Sequence, residues 1–488
     1  MVDDSGERPG NENGASIQRA RPCGIRDGRM QRGTRTSRPA GSTLWRNRPP
    51  AEGAWMWDLV LRINVIEGPF LITWYVLAAA MFVYLLGRGP GGSWVLTVIV
   101  LLIVGAIVGA GALWTAVNVL DVVGGPLNEA TWWWVSGAFA ACTLAIWNLW
   151  YSRWWRKLVA LLAIPVFAVT ALFGINASYG LNRTLGSLLG VSTAGVIDLD
   201  EPDATPSPDP VEPIASTWVP PADMPEAGRI GTPAGGIPNT NSGFEARPAQ
   251  LYLPPAALVD DPPGLPLVIM MMGQPGDPDA TFIGQVLDEY AARNNGLAPI
   301  ALVVDQLGDP ADDPLCLDTD LGKVETYVMQ DVLPWARQHL DVLQGARYTT
   351  VAGYSNGGGC AAYFGAKYPE AFGNILAVSP VEYAGAERPD EVLTSIFRGD
   401  QAAYDAVKPA NIMASKAPYP DTTAVFTAGG KDGTFGPGAQ RLADAATAAG
   451  MATTFVSVPD ADHGVSGLLG GLDAGFEVLY PRLGLAVP

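Results

Sequence analysis

The sequence predicts a protein in two parts: four transmembrane helices, then an α/β domain with a mostly parallel sheet and helices on both faces. Two observations lead to this architecture. Hydrophobic residues make up 48% of the 488-residue chain and charged residues only 16%, whereas soluble domains carry about 25% charged residues. Four long apolar runs come first along the chain, and short apolar runs alternate with helical stretches from residue 247 onward.

The charge balance and the cysteine content exclude two classes of partner. Thirty Lys and Arg residues stand against 48 Asp and Glu residues, for a net charge of −18. A chain this acidic argues against nucleic acid, since binding phosphate backbones needs a basic face. The four cysteines form no CxxC pair, so we predict neither a disulfide-rich scaffold nor a metal site.

The first 55 residues predict a disordered leader. They are rich in Arg, Gly and Pro and have no apolar periodicity. Ten arginines against six acidic residues give this stretch a charge of +4.

Four apolar runs follow, and each is close to the roughly 20 residues that cross a bilayer as a helix. The runs cover residues 69–87, 94–116, 132–150 and 158–176. Tryptophans crowd the ends of the third run and the loop after it, which is typical of side chains at a membrane–water interface. Gly105 and Gly109 form a small-xxx-small step, which indicates helix packing. We therefore predict a multi-pass protein of the cell membrane, with the lipid bilayer as a partner.

The charges of the short loops predict the orientation of these spans. Arg88 lies in the first loop and Arg153, Arg156 and Lys157 in the third, whereas the second holds only acidic residues. Because positive loops stay in the cytoplasm, both ends of the four-span region are expected outside. Translocation of the Arg-rich leader conflicts with this orientation, and one resolution is that translation starts at Met56.

The rest of the chain divides into a linker over residues 179–246 and a folded domain over 247–488. The linker contains the run DEPDATPSPDPVEP, which is too polar to pack and too rich in proline for a helix. In the domain, near-continuous apolar strands alternate with helices, the pattern of a covered parallel sheet. The predicted strands are AQLYLPP, LPLVIMMMG, APIALVVD, YTTVAGYS, NILAVSP, TAVFTAGG and TTFVSVPD. The predicted helices cover residues 280–294, 322–339, 356–368, 436–449 and 464–482.

Ser355 is the candidate nucleophile of this domain. It is the central residue of Gly353-Tyr354-Ser355-Asn356-Gly357, a GxSxG match. The pattern is weak alone, but an apolar strand runs directly into Ser355 and a helix of small residues follows, as in a nucleophile elbow. The alternative is an ordinary Gly-rich strand–helix turn.

A serine needs a base to take its proton, and the base needs an acid to hold it. His463 follows the last predicted strand, whereas His339 lies inside a predicted helix and is expected to be structural. Asp432 follows the penultimate strand and is the preferred acid, with Asp460 and Asp462 as less well placed alternatives. The order Ser355, Asp432, His463 is the one that α/β-hydrolases use.

Two backbone N–H groups are candidates for an oxyanion hole. One belongs to Asn356, next to the serine, and the other to Gln274 in the Gly273-Gln274-Pro275-Gly276 loop after the strand LPLVIMMM. A plain strand-to-helix turn is the alternative for that loop.

Cys316 and Cys360 are a candidate disulfide in the external domain. Cys360 follows the serine by five residues, and Cys316 lies in the loop after APIALVVD. A bridge would hold that loop beside the serine under oxidising conditions. Two buried free thiols are the alternative.

The external domain resembles the esterase branch of the α/β-hydrolases that includes esterase D and the antigen-85-like mycolyltransferases. The motifs that carry the resemblance are Gly353-Tyr354-Ser355-Asn356-Gly357-Gly358, Gly273-Gln274-Pro275-Gly276, Leu315-Cys316-Leu317-Asp318, Glu325-Thr326-Tyr327 and Asp331-Val332-Leu333-Pro334-Trp335. With four preceding spans, the architecture resembles an actinobacterial membrane-anchored subgroup. The resemblance implies serine acyl-enzyme chemistry without a metal or organic cofactor. It departs at the acid, since mycolyltransferases typically use glutamate where this chain offers Asp432.

We therefore expect an extracytoplasmic serine esterase or acyltransferase that acts on an ester or acyl-lipid substrate. Two alternatives stay open. One is mycolyltransferase-like acyl transfer to a sugar of the cell envelope, and the other is a membrane-anchored binding protein that keeps the fold without catalysis.

Overall fold

The computed structural model describes most of the chain beyond the leader. The described residues are 54–87, 92–120, 127, 129–150, 152–180, 182–191, 193–199, 209–310 and 312–486. Of the disordered leader that we predict over residues 1–55, residues 1–53 lie outside this part, and so does Arg88 of the first loop.

Each of the four predicted apolar runs forms a helix. A short helix precedes them, and the five helices are α1 (Ala54–Leu61), α2 (Pro69–Leu86), α3 (Gly92–Asn118), α4 (Glu129–Trp147) and α5 (Trp154–Tyr179). Among the described residues, α2, α3 and α5 are long and apolar enough to cross a membrane, with mean hydropathies of 2.0, 2.7 and 2.6. Helix α4 is less apolar because it contains Glu129 and three consecutive tryptophans.

Small residues bring these helices into close contact. A Cβ atom built on Gly105 of α3 would lie 2.7 Å from the Cα atom of Ala140 in α4, and one built on Gly109 would lie 2.8 Å from the Cβ atom of Phe139. The step predicted for helix packing therefore lies at the α3–α4 contact. The outer surface of the bundle carries many exposed large apolar side chains, which suits lipid better than water.

The region predicted as a linker is partly folded. Helices α6 (Leu185–Leu188) and α7 (Ile214–Thr217) form within it, as do strands β1 (Val196–Ile197) and β2 (Arg229–Pro233). Strand β2 pairs with the main sheet, and Phe244 is buried in the core. The linker prediction was therefore wrong where these elements form, because short elements that contain Gly or Pro give little periodic signal.

Asp331 holds the end of this region against the domain. Its carboxylate accepts hydrogen bonds from the backbone N–H groups of Asn241 and Ser242, both at 3.0 Å, and from the Asn241 amide at 2.8 Å. Burial opposes the charge, but these hydrogen bonds outweigh it and hold the pKa of Asp331 below its usual value.

Replacing Asp331 with alanine is expected to lower the free energy of unfolding by about 2–3 kcal/mol at pH 7, because the hydrogen bonds to a buried charge are lost. Since the pKa is lowered by folding, this contribution is complete above about pH 4 and fades as the pH falls through the folded-state value. Thermal unfolding of the full chain, at pH 7 and below about pH 4, measures this contribution of Asp331. Asp320→Ala, at a 94% exposed side chain, is the control, and equal melting temperatures for the two variants at pH 7 would contradict the prediction.

In the part of the chain that the structure describes, the domain is built on a nine-stranded sheet. Its remaining strands are β3 (Gln250–Leu253), β4 (Leu267–Met271), β5 (Ile300–Val304), β8 (Thr349–Tyr354), β9 (Asn374–Val378), β10 (Thr423–Gly429) and β11 (Ala452–Val458). The order is β1-β2-β3-β5-β4-β8-β9-β10-β11, and a separate hairpin pairs β6 (Asp318–Thr319) with β7 (Gly322–Lys323). All pairs from β5 to β11 are parallel, and β3 is antiparallel to both neighbours. The predicted mostly parallel sheet is confirmed.

Helices cover both faces of this sheet. They are α8 (Thr281–Arg293), α9 (Val324–Thr326), α10 (Leu333–His339), α11 (Asn356–Lys367), α12 (Pro389–Ser395), α13 (Gln401–Ala406), α14 (Pro409–Lys416), α15 (Gly436–Ala448) and α16 (Val465–Arg482). Helices α8 and α16 pack together, with the rings of Tyr290 and Tyr480 4.5 Å apart, and α11, α14 and α15 lie on the opposite face.

The helix predicted over residues 322–339 is interrupted. Between α9 and α10, residues Tyr327–Val332 form a π-helical turn. Pro334 follows as one of the first residues of α10. Because proline has no N–H to donate, the regular α-helical bonding pattern cannot run through it.

Candidate active site

Ser355 lies at a sharp turn between β8 and α11. Its backbone has φ 56° and ψ −116°, a conformation that non-glycine residues rarely adopt. Three backbone hydrogen bonds hold it there: Ser355 N–H donates to Val378 at 2.9 Å, and its carbonyl accepts from Gly359 and Val381 at 3.1 and 3.0 Å. The turn therefore presents the hydroxyl at the carboxyl end of the central strands.

The flanking glycines are required by close backbone approaches. A Cβ atom on Gly353 would lie 1.9 Å from the carbonyl oxygen of Gly357, and one on Gly357 would lie 2.2 Å from that of Met271. No other residue type fits at either position without moving the backbone of β4 or α11. The GxSxG pattern is thus an elbow rather than an ordinary Gly-rich turn.

His463 and Asp432 meet Ser355 at this edge of the sheet. His463, in the loop after β11, places Nε2 2.9 Å from Ser355 Oγ and Nδ1 2.8 Å from Asp432 Oδ2. Asp432 lies in the turn after β10, and its side chain is 2% exposed. The structure therefore brings together the three side chains that the order of the strands predicts.

The alternative residues lie elsewhere. Asp460 is exposed and pairs with Lys431, and Asp462 accepts a hydrogen bond from Ser466 at 3.1 Å. His339 ends helix α10, where Nδ1 lies 2.9 Å from the carbonyl oxygen of Trp335 and its ring stacks on the indole.

The surroundings favour a charged acid and a fixed imidazole. Burial opposes ionisation of Asp432, but the hydrogen bond and charge of His463 and the N–H of Phe435, at 3.0 Å, outweigh it and hold the pKa of Asp432 below its usual value. The His463 ring stacks between Phe435, 4.1 Å away, and Tyr354, 5.3 Å away. Both rings limit rotation of the imidazole.

The two predicted oxyanion donors flank the serine. Gly273 lies against Ser355, since a Cβ atom on it would be 3.1 Å from Ser355 Cβ, and Gln274 is the next residue. Within the described residues, the backbone N–H groups of Gln274 and Asn356 donate to no protein acceptor. Both are thus available to an oxygen bound beside Ser355.

The sequence did not predict the residues that support these loops. Arg247 donates to Asp305, which is fully buried, to Asp277 and to the carbonyl oxygen of Gly276. Gln306 donates to the carbonyl oxygen of Met272 at 2.6 Å and to Asn356 Oδ1 at 3.0 Å. One available signal was the pair Asp305-Gln306, two polar residues directly after a buried strand.

A cleft beside Asn356 is bordered by the segment that joins β9 to β10. Val381, Tyr383, Ala384, Val407 and Pro409 line one side. The other side is the loop around Leu315, which a disulfide between Cys316 and Cys360 ties to α11, with Cα atoms 5.6 Å apart. Among the described residues, no group of three or more His, Cys, Asp or Glu side chains could hold a metal ion.

A serine at a strand–helix elbow of a mostly parallel sheet, with an acid and a histidine after the later strands, defines the class of the α/β-hydrolases. Residues 244–463 match the family described as "Putative esterase". A curated relative, an uncharacterized protein of Corynebacterium glutamicum, is 32% identical over 320 residues, which cover 62% of this chain and 71% of the relative. The chain belongs to this esterase family.

Solved structures with similar folds include two esterases. An S-formylglutathione hydrolase from Agrobacterium tumefaciens is 17% identical with a TM-score of 0.43, and the match covers 54% of this chain and 98% of that chain. A ferulic acid esterase from Anaeromyces mucronatus is 14% identical with a TM-score of 0.38, and the match covers 53% and 92%.

Proposed function

We propose that this protein is a membrane-anchored, extracytoplasmic serine esterase or acyltransferase that acts on carboxylic esters through an acyl-enzyme. The observation that carries the proposal is the hydrogen-bonded series from Ser355 through His463 to Asp432, with distances of 2.9 and 2.8 Å. Two N–H groups beside the serine, which have no acceptor within the part of the chain that the structure describes, support the same chemistry.

Acylation uses these groups in order. Ser355 Oγ attacks the ester carbonyl while His463 Nε2 takes its proton, and Asp432 stabilises the resulting imidazolium. The carbonyl oxygen becomes an oxyanion that the N–H groups of Gln274 and Asn356 stabilise. The C–O bond then breaks, His463 returns the proton to the departing alcohol, and the acyl group stays on Ser355.

Deacylation repeats these steps with a second hydroxyl. If water attacks the acyl-enzyme, the product is a carboxylic acid and the protein is a hydrolase. If a sugar hydroxyl attacks, the product is a new ester and the protein is a transferase. In both reactions His463 accepts the proton of the incoming hydroxyl and returns it to Ser355 Oγ.

In this proposal the protein crosses the membrane four times, through α2, α3, α4 and α5. Helix α4 has 19 residues, and it packs against α3 at Gly105 and Gly109 and against α5 at Gly174, beside Trp134. A helix enclosed by two spans along its length needs less hydropathy of its own, because its neighbours replace part of the lipid contact.

Charge at one end of the bundle supports the orientation. Arg156, at the start of α5, donates to the carbonyl oxygens of Tyr84 and Leu85 at the end of α2, at 2.7 and 2.6 Å. Positive residues favour the cytoplasmic side, so the other end of α5 and the domain after it face outward. The Cys316–Cys360 disulfide suits that oxidising side.

A membrane-impermeant fluorophosphonate probe on intact cells tests the proposal. The wild-type chain should be labelled, and the Ser355→Ala variant should not. Labelling only after permeabilisation would contradict the outward orientation alone. Absence of labelling under both conditions would contradict catalysis and favour the non-catalytic binding protein. Product analysis with water and trehalose as competing acceptors then separates hydrolysis from transfer.

A further inference from the structure

The chain leaving the last apolar helix lies against two loops of the candidate active site. We call residues 176–180 and 182–188, at the end of α5 and through α6, the exit segment. It contacts the loop that carries His463 and the loop that carries Gln274.

The first contact is with the two residues after His463. A Cβ atom on Gly464 would lie 2.6 Å from the carbonyl oxygen of Ser178, and one on Gly180 would lie 2.4 Å from Cγ2 of Val465. Backbone therefore packs directly on backbone and on the first side chain of α16. A shift of the exit segment toward this loop would therefore displace the two residues that follow His463.

The second contact is a hydrogen bond to residues 273–277, which carry Gln274 and which we call the oxyanion loop. Ser187 Oγ donates to Asp277 Oδ2 at 2.6 Å. Since the single hydroxyl proton goes to the carboxylate, the Asn182 amide nitrogen faces Ser187 Oγ at 3.0 Å and Asp277 Oδ2 at 3.3 Å. Asp277 also accepts from Arg247 at 2.7 Å.

The same cluster reaches the oxyanion donor through the backbone. Arg247 donates to the carbonyl oxygen of Gly276 at 3.0 Å, and Gly276 N–H donates to that of Gly273 at 2.8 Å. Gln274 lies within this turn. The exit segment is thus connected to the residue whose N–H would stabilise the oxyanion.

The exit segment is itself firmly held. The buried Asn176 side chain donates to the carbonyl oxygen of Asn182 at 2.7 Å and accepts from its N–H at 3.0 Å. Leu185 N–H donates to Ile63 at 2.9 Å, and Val65 N–H donates to Arg183 at 2.9 Å, which ties the segment to the chain before α2. A segment that only connected the helices to the domain would not need these hydrogen bonds.

From these contacts we infer that the exit segment is a positioning element of the active site, which sets the His463 and Gln274 loops relative to Ser355. This inference rests on the proposed function. It makes the rate of acyl transfer depend on how the last helix is seated, so the membrane region does more than anchor the domain.

Gly180→Ala tests the contact with the histidine loop. It should lower kcat about 10- to 100-fold, because small displacements of a catalytic group have effects of this size. KM should change less than about twofold, because the displaced histidine acts in the transition state. Gly190→Ala is the matched control, since its φ of 72° is as unfavourable as the 66° of Gly180 but a Cβ atom there meets nothing within 4 Å. Adding Val465→Ala to Gly180→Ala should restore much of kcat, because it removes the clashing methyl groups.

Ser187→Ala tests the contact with the oxyanion loop. It should lower kcat about tenfold through misplacement of that loop. Ser187→Thr keeps the hydroxyl and should recover most of the loss. Ser152→Ala, in the loop between α4 and α5, is the control. Equal kcat in Gly180→Ala and Gly190→Ala, or in Ser187→Ala and wild type, would overturn the inference alone. A wild-type chain without esterase activity or labelling would overturn the proposed function as well.

Discussion

The Ser355→Ala variant is expected to lose activity toward short p-nitrophenyl esters by about 10⁴- to 10⁶-fold in kcat, since removing a nucleophilic serine leaves only binding and oxyanion stabilisation. The reason is geometric: Ser355 Oγ is the hydroxyl that lies 2.9 Å from His463 Nε2. The measurement is the initial rate of the purified full chain in detergent, compared with wild type.

The control is Ser457→Ala, which removes an exposed hydroxyl from the edge strand β11. It should keep wild-type kcat. If Ser355→Ala keeps more than about a hundredth of wild-type kcat, its residual rate is far above that expected without a nucleophile. That result would refute the assignment of Ser355 as the nucleophile.

The Asp432→Asn variant is expected to lose about 10⁴-fold in kcat, because a neutral amide neither holds the required tautomer of His463 nor stabilises the imidazolium. The hydrogen bond from His463 and the N–H of Phe435 keep the pKa of Asp432 low. Its charge therefore persists into the acidic range. The loss should therefore be measured at pH 7, where the wild-type carboxylate is ionised.

Asp460→Asn and Asp462→Asn are the matched controls, since the sequence left both residues open as the acid. The side chain of Asp460 pairs with Lys431 and that of Asp462 with Ser466, both outside the hydrogen-bonded series. Each variant should therefore keep kcat within about threefold. A loss in Asp462→Asn that equals the loss in Asp432→Asn would assign the acid differently.

The sequence predicted the parts of the site that depend on strand order. Ser355, Asp432 and His463 each follow an apolar strand, and the carboxyl ends of parallel strands meet at one edge. The same reasoning predicted the central strands and the helices between them, because those patterns are local and strong.

The contributions that the sequence did not reveal come from contacts distant along the chain. Arg247 and Asp305 are 58 positions apart, and Ser187 and Asp277 are 90 apart. No periodicity marks such pairs. Strand β2 was missed for another reason, since a five-residue strand that contains Gly231 and Pro233 resembles a loop in isolation.

Helix α4 shows a related difficulty with hydropathy. Its tryptophans and Glu129 lower its average, although Gly105 and Gly109 of α3 pack closely against it. Packing between helices does not enter a hydropathy average, so composition alone undervalues a helix enclosed by its neighbours.

The positive φ of Ser355 has a consequence for the melting temperature of the protein. A non-glycine residue at φ 56° and ψ −116° carries a conformational penalty of about 1–3 kcal/mol. Glycine adopts that geometry without the penalty, so a Ser355→Gly protein should be inert yet melt a few degrees higher than its parent, about 2–4 °C for each kcal/mol regained. The conformation that presents the Ser355 hydroxyl therefore lowers the heat resistance of the chain.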